Sequence, residues 1–416
     1  MHDAIALFDP ISSAAFLKPA AKELGFKVVG VFTKPIDLFC EIFHTSKEAL
    51  FSNCDEVIVA ESLEEILRQL KLSKFAIKAA VAGIDSGVTL TDQVCNALGL
   101  WSNPIVLSNA RSDKGAMRKR LKEKGLSCPD FQLCTSEKEA LAFAEYHSFP
   151  LVIKTPQGAA TSQVYVCHDM RELTKNFHDI MDRKDFYGRI AKHAVIEEYI
   201  FGEEYVVNTF SDGKDVHITD VWVYEKIDTK TFKNIYYNII LLFPIQIPSL
   251  QPLLHEATKI VEAFGIERGS AHLEIKDDPR RGPTLIEINP RLAGARMPFL
   301  LKEHSNFDPY KKTIEVFRYG QAEMPKPIAM KKHCAIACCP IHESGNVEKI
   351  SGIDAIEKLS SYEAHVLNIK PEDHLTATTD LTSTPLLVFL AHEERVKLLQ
   401  DLEKVHKLFS VSFKAK

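Results

Sequence analysis

The chain has 416 residues, with 51 Lys+Arg against 56 Asp+Glu, a formal charge of -5 and 45% hydrophobic residues. At about 100–200 residues per domain, this length predicts two to four domains with ordinary cores, and the composition excludes a disordered chain. The near-balanced charge excludes a whole-molecule electrostatic grip on nucleic acid, and the longest apolar run, Ile239–Ile245, falls far short of the ~20 residues of a membrane-spanning helix.

The opening MHDAIALFDPISS has no basic flank before its short apolar run, so it reads as a strand and not as a signal peptide. Strand and helix signals then alternate. Ala4–Phe8, Lys27–Phe32, Glu56–Ala60 and Lys78–Gly83 are strand-like, and Ala14–Leu24 and Ser62–Leu70 are helical. Ser62 with Glu65 forms a capping-box pattern. This alternation predicts a parallel α/β sheet. From Pro104 the texture changes. Ser112–Lys124 is a basic helix, with seven cations and two acids between Arg111 and Lys124, and Glu137–Tyr146 is a second helix. Leu151–Lys154 and Gln163–Cys167 are strands around the small polar loop TPQGAATSQ. Ala194–Tyr199 is a strand expected to pair with Glu204–Phe210 through Phe201-Gly202. His255–Phe264 is helical, and Ala271–Lys276 and Pro283–Asn289 are strands joined by DDPRRG. A Pro- and Lys-rich connector, GQAEMPKPIAMKK, marks a domain boundary, beyond which strands, turns and one helix (Glu393–Phe409) follow. The nine cysteines, odd in number and mostly scattered, are read as reduced thiols of a cytoplasmic protein.

The chemistry concentrates in HLEIKDDPRRGPTLIEINPR. Glu274 and Glu287 stand thirteen positions apart on strands flanking one turn, so an antiparallel pair sets them side by side. Asn289, two residues past Glu287, shares its face. Two carboxylates and an amide oxygen are hard ligands suited to Mg2+ beside nucleotide phosphates. Arg291 adds a permanent, planar cation suited to a transferring phosphate. His272 is read as alternating to the face away from Glu274, in a core or supporting role. Lys154 ends an apolar strand, Lys114 opens the basic helix, and the loop after Lys154 can lay backbone N–H groups on phosphate. In VIEEYIFGEEYVVN, the backbone from Glu197 through Glu198 and Tyr199 to Ile200 can present a carbonyl and an amide to an adenine edge, with Glu204 reaching ribose hydroxyls. Taken singly, each piece also reads as ordinary structure: an exposed hairpin, a snorkelling lysine, a solvated helix face. A separate run, His333-Cys334 with Cys338-Cys339 and His342, offers a zinc or thiol reading against that of small buried residues.

In order, Asp113–Arg118 (DKxxMR), Lys154 before its small-residue loop, Glu197–Glu204 (EEYIxGEE), His272–Glu274 (HxE) and Glu287–Gly294 (EINPRxxG) resemble the ATP-grasp superfamily over roughly residues 112–298. Within it the chain looks most similar to L-amino-acid ligases of the bacilysin-synthetase type. VAGIDSGVTLTDQVCNALGL resembles their AG-x-E-x-G-x-x-LAD segment, with Asp85 where Glu is usual, and GNVEKISGIDAIEKL and ATTDLTST resemble their closing domain.

The resemblance implies an α/β and α+β architecture. A Rossmann-like parallel domain (residues 1–110) would precede an ATP-grasp domain (111–320) with a mobile lid at about 125–194, and a mixed C-terminal domain (321–416) would close the chain. It implies that Lys114 and Lys154 hold the α- and β-phosphates, and that Glu197, Glu198, Tyr199, Ile200 and Glu204 line the nucleoside. Glu274, Glu287 and Asn289 would hold Mg2+ (or Mn2+ in its place), and Arg291 would steady the γ-phosphate and a developing acyl phosphate. Arg291, Gly294 and Ala295 would border the substrate, Ala295 leaving room for a larger first amino acid than relatives with a bulkier residue accept. The implied reaction is ATP-dependent joining of two L-amino acids, or of an amino acid and a non-proteinogenic amine or hydroxy acid. The implied partners are small amino-acid substrates, without nucleic acid or membrane, and a homodimer is compatible with the resemblance. The segment FKNIYYNIILLFPIQIP, where substrate residues are expected, contains no histidine. A non-catalytic nucleotide binder is the rival class, disfavoured by the intact Glu274, Glu287, Asn289 and Arg291 set.

Overall fold

The computed structural model describes residues 2–158, 163–185, 187–228, 235–242 and 248–414. Four residues of the small polar loop (159–162) and parts of the expected substrate segment (232–234 and 243–247) therefore lie outside the described residues. The chain divides into two compact units, one of residues 1–219, 248–298 and 308–324, the other of residues 220–247, 299–307 and 325–416.

The first unit begins with the expected parallel sheet, in the spatial order Glu56–Val59, Lys27–Phe32, Asp3–Phe8, Ala76–Ala82. Its strands are mostly apolar because both faces are covered. Ala4, Ala6 and Phe8 pack with Ile66, Leu70 and Val94 on one face, while Ile5 and Leu7 pack with Leu17, Ala21 and Ile314 on the other. The Ser62 hydroxyl caps its helix by accepting the Glu65 N–H at 3.3 Å, but the Glu65 carboxylate turns to Arg68 and Gln69, so only half of the capping box forms.

The chain crosses over at the first strand, so a crevice opens past the carboxyl ends of Asp3–Phe8 and Ala76–Ala82. Asp9 sits there fully buried. Its carboxylate accepts from the Thr33 N–H (2.7 Å), the Thr33 hydroxyl (2.6 Å) and the Ser86 hydroxyl (2.5 Å). Burial outweighs these bonds and pushes its pKa up from 3.8 to about 6. The folded state thus holds this proton more tightly than the unfolded chain. The stability it contributes is full below pH 3.8 and is lost as pH rises through about 6. Asp9→Asn is expected to remove that dependence, changing the wild-type-to-variant difference in unfolding free energy by roughly 2 kcal/mol between pH 4 and 7 in urea titrations. Parallel pH profiles would contradict it.

Next in the same unit comes a four-stranded antiparallel subdomain, ordered Phe131–Cys134, Ala194–Glu198, Leu151–Lys154, Val164–Cys167. Helices Glu137–Glu145 and Met170–Asp182 close its core of Phe143, Leu151, Leu173, Phe177 and Ile196. The expected hairpin between Ala194–Tyr199 and Glu204–Phe210 does not form. Ala194–Glu198 pairs inside this subdomain, and Glu203–Asp212 pairs with Arg268–Asp278. Gly202 carries the chain between the two sheets at φ +93°, where a Cβ would run into the Asp277 carbonyl. Arg268–Asp278 and Gly282–Asn289 form the anticipated antiparallel hairpin.

In the second unit, antiparallel strands Ile235–Leu241, His333–Cys339, Leu386–His392 and Tyr362–Leu367 lie side by side, and helix Arg395–Leu408 packs on them through Leu398, Leu402 and Val405. Ala335, Ala337 and Cys339 face that helix, as strand alternation requires. All nine cysteines are free thiols. Burial pushes Cys339 up to about 12, and Cys334 and Cys338 higher still. Among the described residues, the one His/Cys/Asp/Glu group with metal-ligand spacing is Asp212, Asp215 and His217, so the zinc reading of the His333–His342 run finds no cluster. No helix of the described residues is long and apolar enough to cross a membrane.

Candidate active site

Alternating burial builds the hairpin. Leu273 and Ile288 pair and are fully buried, which turns the neighbouring pair Glu274 and Glu287 to the opposite face, directly across from each other. Asn289 stands across from His272, one pleat further on. The Glu274 and Glu287 side chains are only 17% and 21% exposed. Two half-buried carboxylates and a buried amide on one face fit a hard, oxygen-loving cation. His272 shares that face, because residues two apart on a strand point the same way. Its Nε2 lies 3.7 Å from the Glu274 carboxylate, and its Nδ1 meets the Asn208 amide oxygen at 2.9 Å. The expectation that it alternates away from Glu274 is therefore corrected.

Lys114 is the first residue of helix Lys114–Glu123, whose N-terminus Asp113 caps by accepting the Ala116 N–H. The Lys114 ammonium donates to Glu287 at 3.0 Å, and its backbone N–H donates to the Pro156 carbonyl at 2.8 Å. One turn along the same helix face is Arg118. Its guanidinium donates to Glu197 from Nε (2.8 Å) and Nη2 (3.2 Å), and to the Ile286 carbonyl. Lys154 donates to the same Glu197 carboxylate at 2.5 Å. All three side chains are at most 3% exposed. Burial, and then Arg118, pulls Lys154 down to about 8. Burial alone would raise Glu197, but the two cations outweigh it and hold that carboxyl at about 2. The Glu197 side chain is thus committed to positioning Lys154 and Arg118.

Past Glu197, the Glu198 carboxylate accepts from the Asp130 N–H (2.9 Å) and Arg281 (2.7 Å). The Lys276 ammonium sits 4.6 Å from the Tyr199 ring centroid and donates to the Ile200 carbonyl at 3.3 Å. Lys276 also stands opposite Glu204 in strand register. Because Lys276 is two residues from Glu274, this group lies about 7 Å along the strand from the carboxylate pair. The site therefore has two ends, cationic and carboxylate at one, aromatic and backbone-rich at the other.

Arg291 leaves the hairpin and forks onto Asp85, with Nε and Nη2 each 2.9 Å from a different carboxylate oxygen, while Nη1 donates to the Leu292 carbonyl. Asp85 opens the helix Asp85–Leu98, so the pair ties the α/β domain to the hairpin. Gly294 has open space around it, Ala295 is 8% exposed, and Ala295 and Arg296 both adopt left-handed backbone, at φ 50° and 54°. The Arg296 N–H is held by the Ser13 hydroxyl at 2.9 Å. Sequence reasoning assigned no role to Arg118, to Lys276 or to the Asp85–Arg291 pair. The first two were accessible from i,i+4 and i,i+2 spacing to Lys114 and Glu274.

Residues 147–298 match the ATP-grasp domain family model. Dapdiamide A synthase of Enterobacter agglomerans is 26% identical over 97% of this chain and 95% of its own length. The stretch 147–298 of the chain is an ATP-grasp domain. Among solved structures, the L-amino acid ligase from Bacillus licheniformis shares the fold with a TM-score of 0.82 at 18% identity, over 100% of this chain and 99% of that one. The biotin carboxylase domain of Hydrogenobacter thermophilus 2-oxoglutarate carboxylase, solved with MgADP and bicarbonate, also shares it, with a TM-score of 0.70 at 14% identity over 99% and 91%.

Proposed function

We propose that the chain is an ATP-grasp ligase, and that it joins two L-amino acids into a dipeptide through an acyl phosphate, releasing ADP and phosphate. The observation that carries the reading is the facing Glu274–Glu287 pair with Lys114 on Glu287 and Lys154 held by Glu197. A carboxylate is a poor acyl donor, because its oxygens leave badly. Phosphorylation remedies this. A carboxylate oxygen of the first amino acid attacks the γ-phosphorus, the bond to the ADP oxygen breaks, and an acyl phosphate forms. The amine of the second amino acid then attacks the acyl carbon. The C–O bond breaks, phosphate departs with the former carboxylate oxygen, and the amine gives up a proton.

Lys114 and Lys154 neutralise phosphate charge, and Glu198, Tyr199, Ile200 and Glu204 border the nucleoside. Glu274, Glu287 and Asn289 would hold Mg2+, which when bound shields the phosphate oxygens from the incoming carboxylate. Arg291, oriented by Asp85, faces charge developing on the transferred group. The four-stranded subdomain serves as a lid that keeps water from the acyl phosphate.

Incubating the protein with MgATP and pairs of the twenty amino acids tests this. The expected result is phosphate release that requires amino acids, together with a dipeptide mass. Release with bicarbonate alone would favour carboxylase chemistry and overturn the proposal. The likeness to a dapdiamide synthase supports a second reading, an amino acid joined to a non-proteinogenic amine or hydroxy acid. In that case no dipeptide forms from the twenty acceptors. Ala295→Trp is expected to shift kcat/KM at least about tenfold towards small first amino acids. An unchanged substrate profile would remove Ala295 from the pocket.

A further inference from the structure

Residues 184–185 and 187–190 belong by sequence to the four-stranded subdomain, and Lys184 and Ile190 form a bridge across this turn. Inside the turn, one Asp185 carboxylate oxygen accepts the N–H groups of Tyr187 (2.9 Å) and Arg189 (2.8 Å), and the other accepts Arg189 Nε (2.8 Å). The turn is thus built to hold Tyr187 in one direction. Tyr187 does not join its own subdomain's core. It packs, 4% exposed, among Ile11, Phe32, Phe39 and Leu50 of the α/β domain. Its phenol lies within the fields of both Asp85 and Arg291. A second thread leaves the same turn. Arg189 Nη1 donates to the Gln157 amide oxygen at 2.9 Å, on the loop that follows Lys154. The neighbouring Pro156 carbonyl accepts the Lys114 N–H.

We propose that Tyr187 is a positioning residue. It docks the subdomain that carries Lys154 onto the domain that carries Asp85, so that Lys154 on the inner phosphates and Arg291 on the transferred one engage a single nucleotide while water is kept out. The inference rests on the ligase reading above. An aromatic ring seated in another domain's apolar cluster fixes the approach of the two bodies, and Arg189 passes that restraint to the loop beside Lys154. Loosening it leaves each half of the site intact but lets water compete with the amine for the acyl phosphate.

The test is the ratio of phosphate released to amide formed, which does not depend on how much protein is folded. Wild type is expected to give one phosphate per amide. Tyr187→Ala should release phosphate in roughly five- to tenfold excess once the first amino acid is present, Tyr187→Phe should stay within about twofold of wild type, and Arg189→Ala should move towards excess. Hydrogen exchange of residues 163–185 with a non-hydrolysable ATP analogue and Mg2+ supplies a readout independent of amide formation. Faster exchange in Tyr187→Ala than in Tyr187→Phe is expected. Equal loss of phosphate and amide in Tyr187→Ala, or exchange identical in both variants, overturns the proposal. If wild type forms no amide with any acceptor, the ligase reading fails while the exchange data still decide the docking.

Discussion

Replacing Glu287 with alanine is expected to lower ATP-dependent phosphate release by about a thousandfold or more at saturating MgATP. Glu287 stands across from Glu274 and receives the Lys114 ammonium, so on the proposed reading its loss removes one of three oxygen donors to the metal and leaves Lys114 without its carboxylate. The side chain is 21% exposed and its apolar neighbours Leu285 and Ile288 are untouched, so the melting temperature should move little. The expected signature is an almost dead, well-folded protein. Activity kept within about tenfold of wild type would show that the carboxylate pair does not hold the metal.

The second large effect falls on stability. Glu197→Gln leaves Arg118 and Lys154 facing each other in a dry site with no anion. Removing one partner of a buried ion cluster costs about 3–5 kcal/mol, far more than the intact cluster contributes. Without Glu197, which raises it, the Lys154 pKa moves further below about 8, so ATP affinity should also fall and fall more steeply with rising pH. Arg118→Met added to Glu197→Gln is expected to recover part of the stability by removing one of the stranded charges. Urea denaturation of the single and double variants measures both effects. A single-variant loss below about 1 kcal/mol would mean that water or rearrangement satisfies the two cations.

The parts of the site legible in the sequence are those fixed by local rules. Strand alternation and a short charged turn suffice to put Glu274 across from Glu287, and the run of basic residues that Lys114 opens marks its helix. The parallel α/β domain is legible because fully covered strands read as continuous apolar runs. What failed depended on distant partners. Nothing local tells Ala194–Glu198 to pair with Leu151–Lys154 instead of with the strand just after it. That choice is set by Gly202 pressed against the Asp277 backbone and by core residues such as Phe177 and Leu173. The Arg291–Asp85 fork and the Arg118–Glu197 pair join residues far apart in the chain, and propensity carries no signal for them. The His272 expectation failed for another reason, a parity error on a strand whose face the neighbouring Glu274 already defines.

The central claim, activation of a carboxylate by phosphoryl transfer, is tested most directly with an amino acid labelled with 18O in its carboxylate. Incubated with MgATP and the acceptor identified by pairwise screening, the protein is predicted to deliver one 18O atom into each phosphate released, because the oxygen that attacks the γ-phosphorus leaves with it. Phosphate free of the label, formed at the same rate as product, would contradict an acyl phosphate and with it the proposed ligase chemistry.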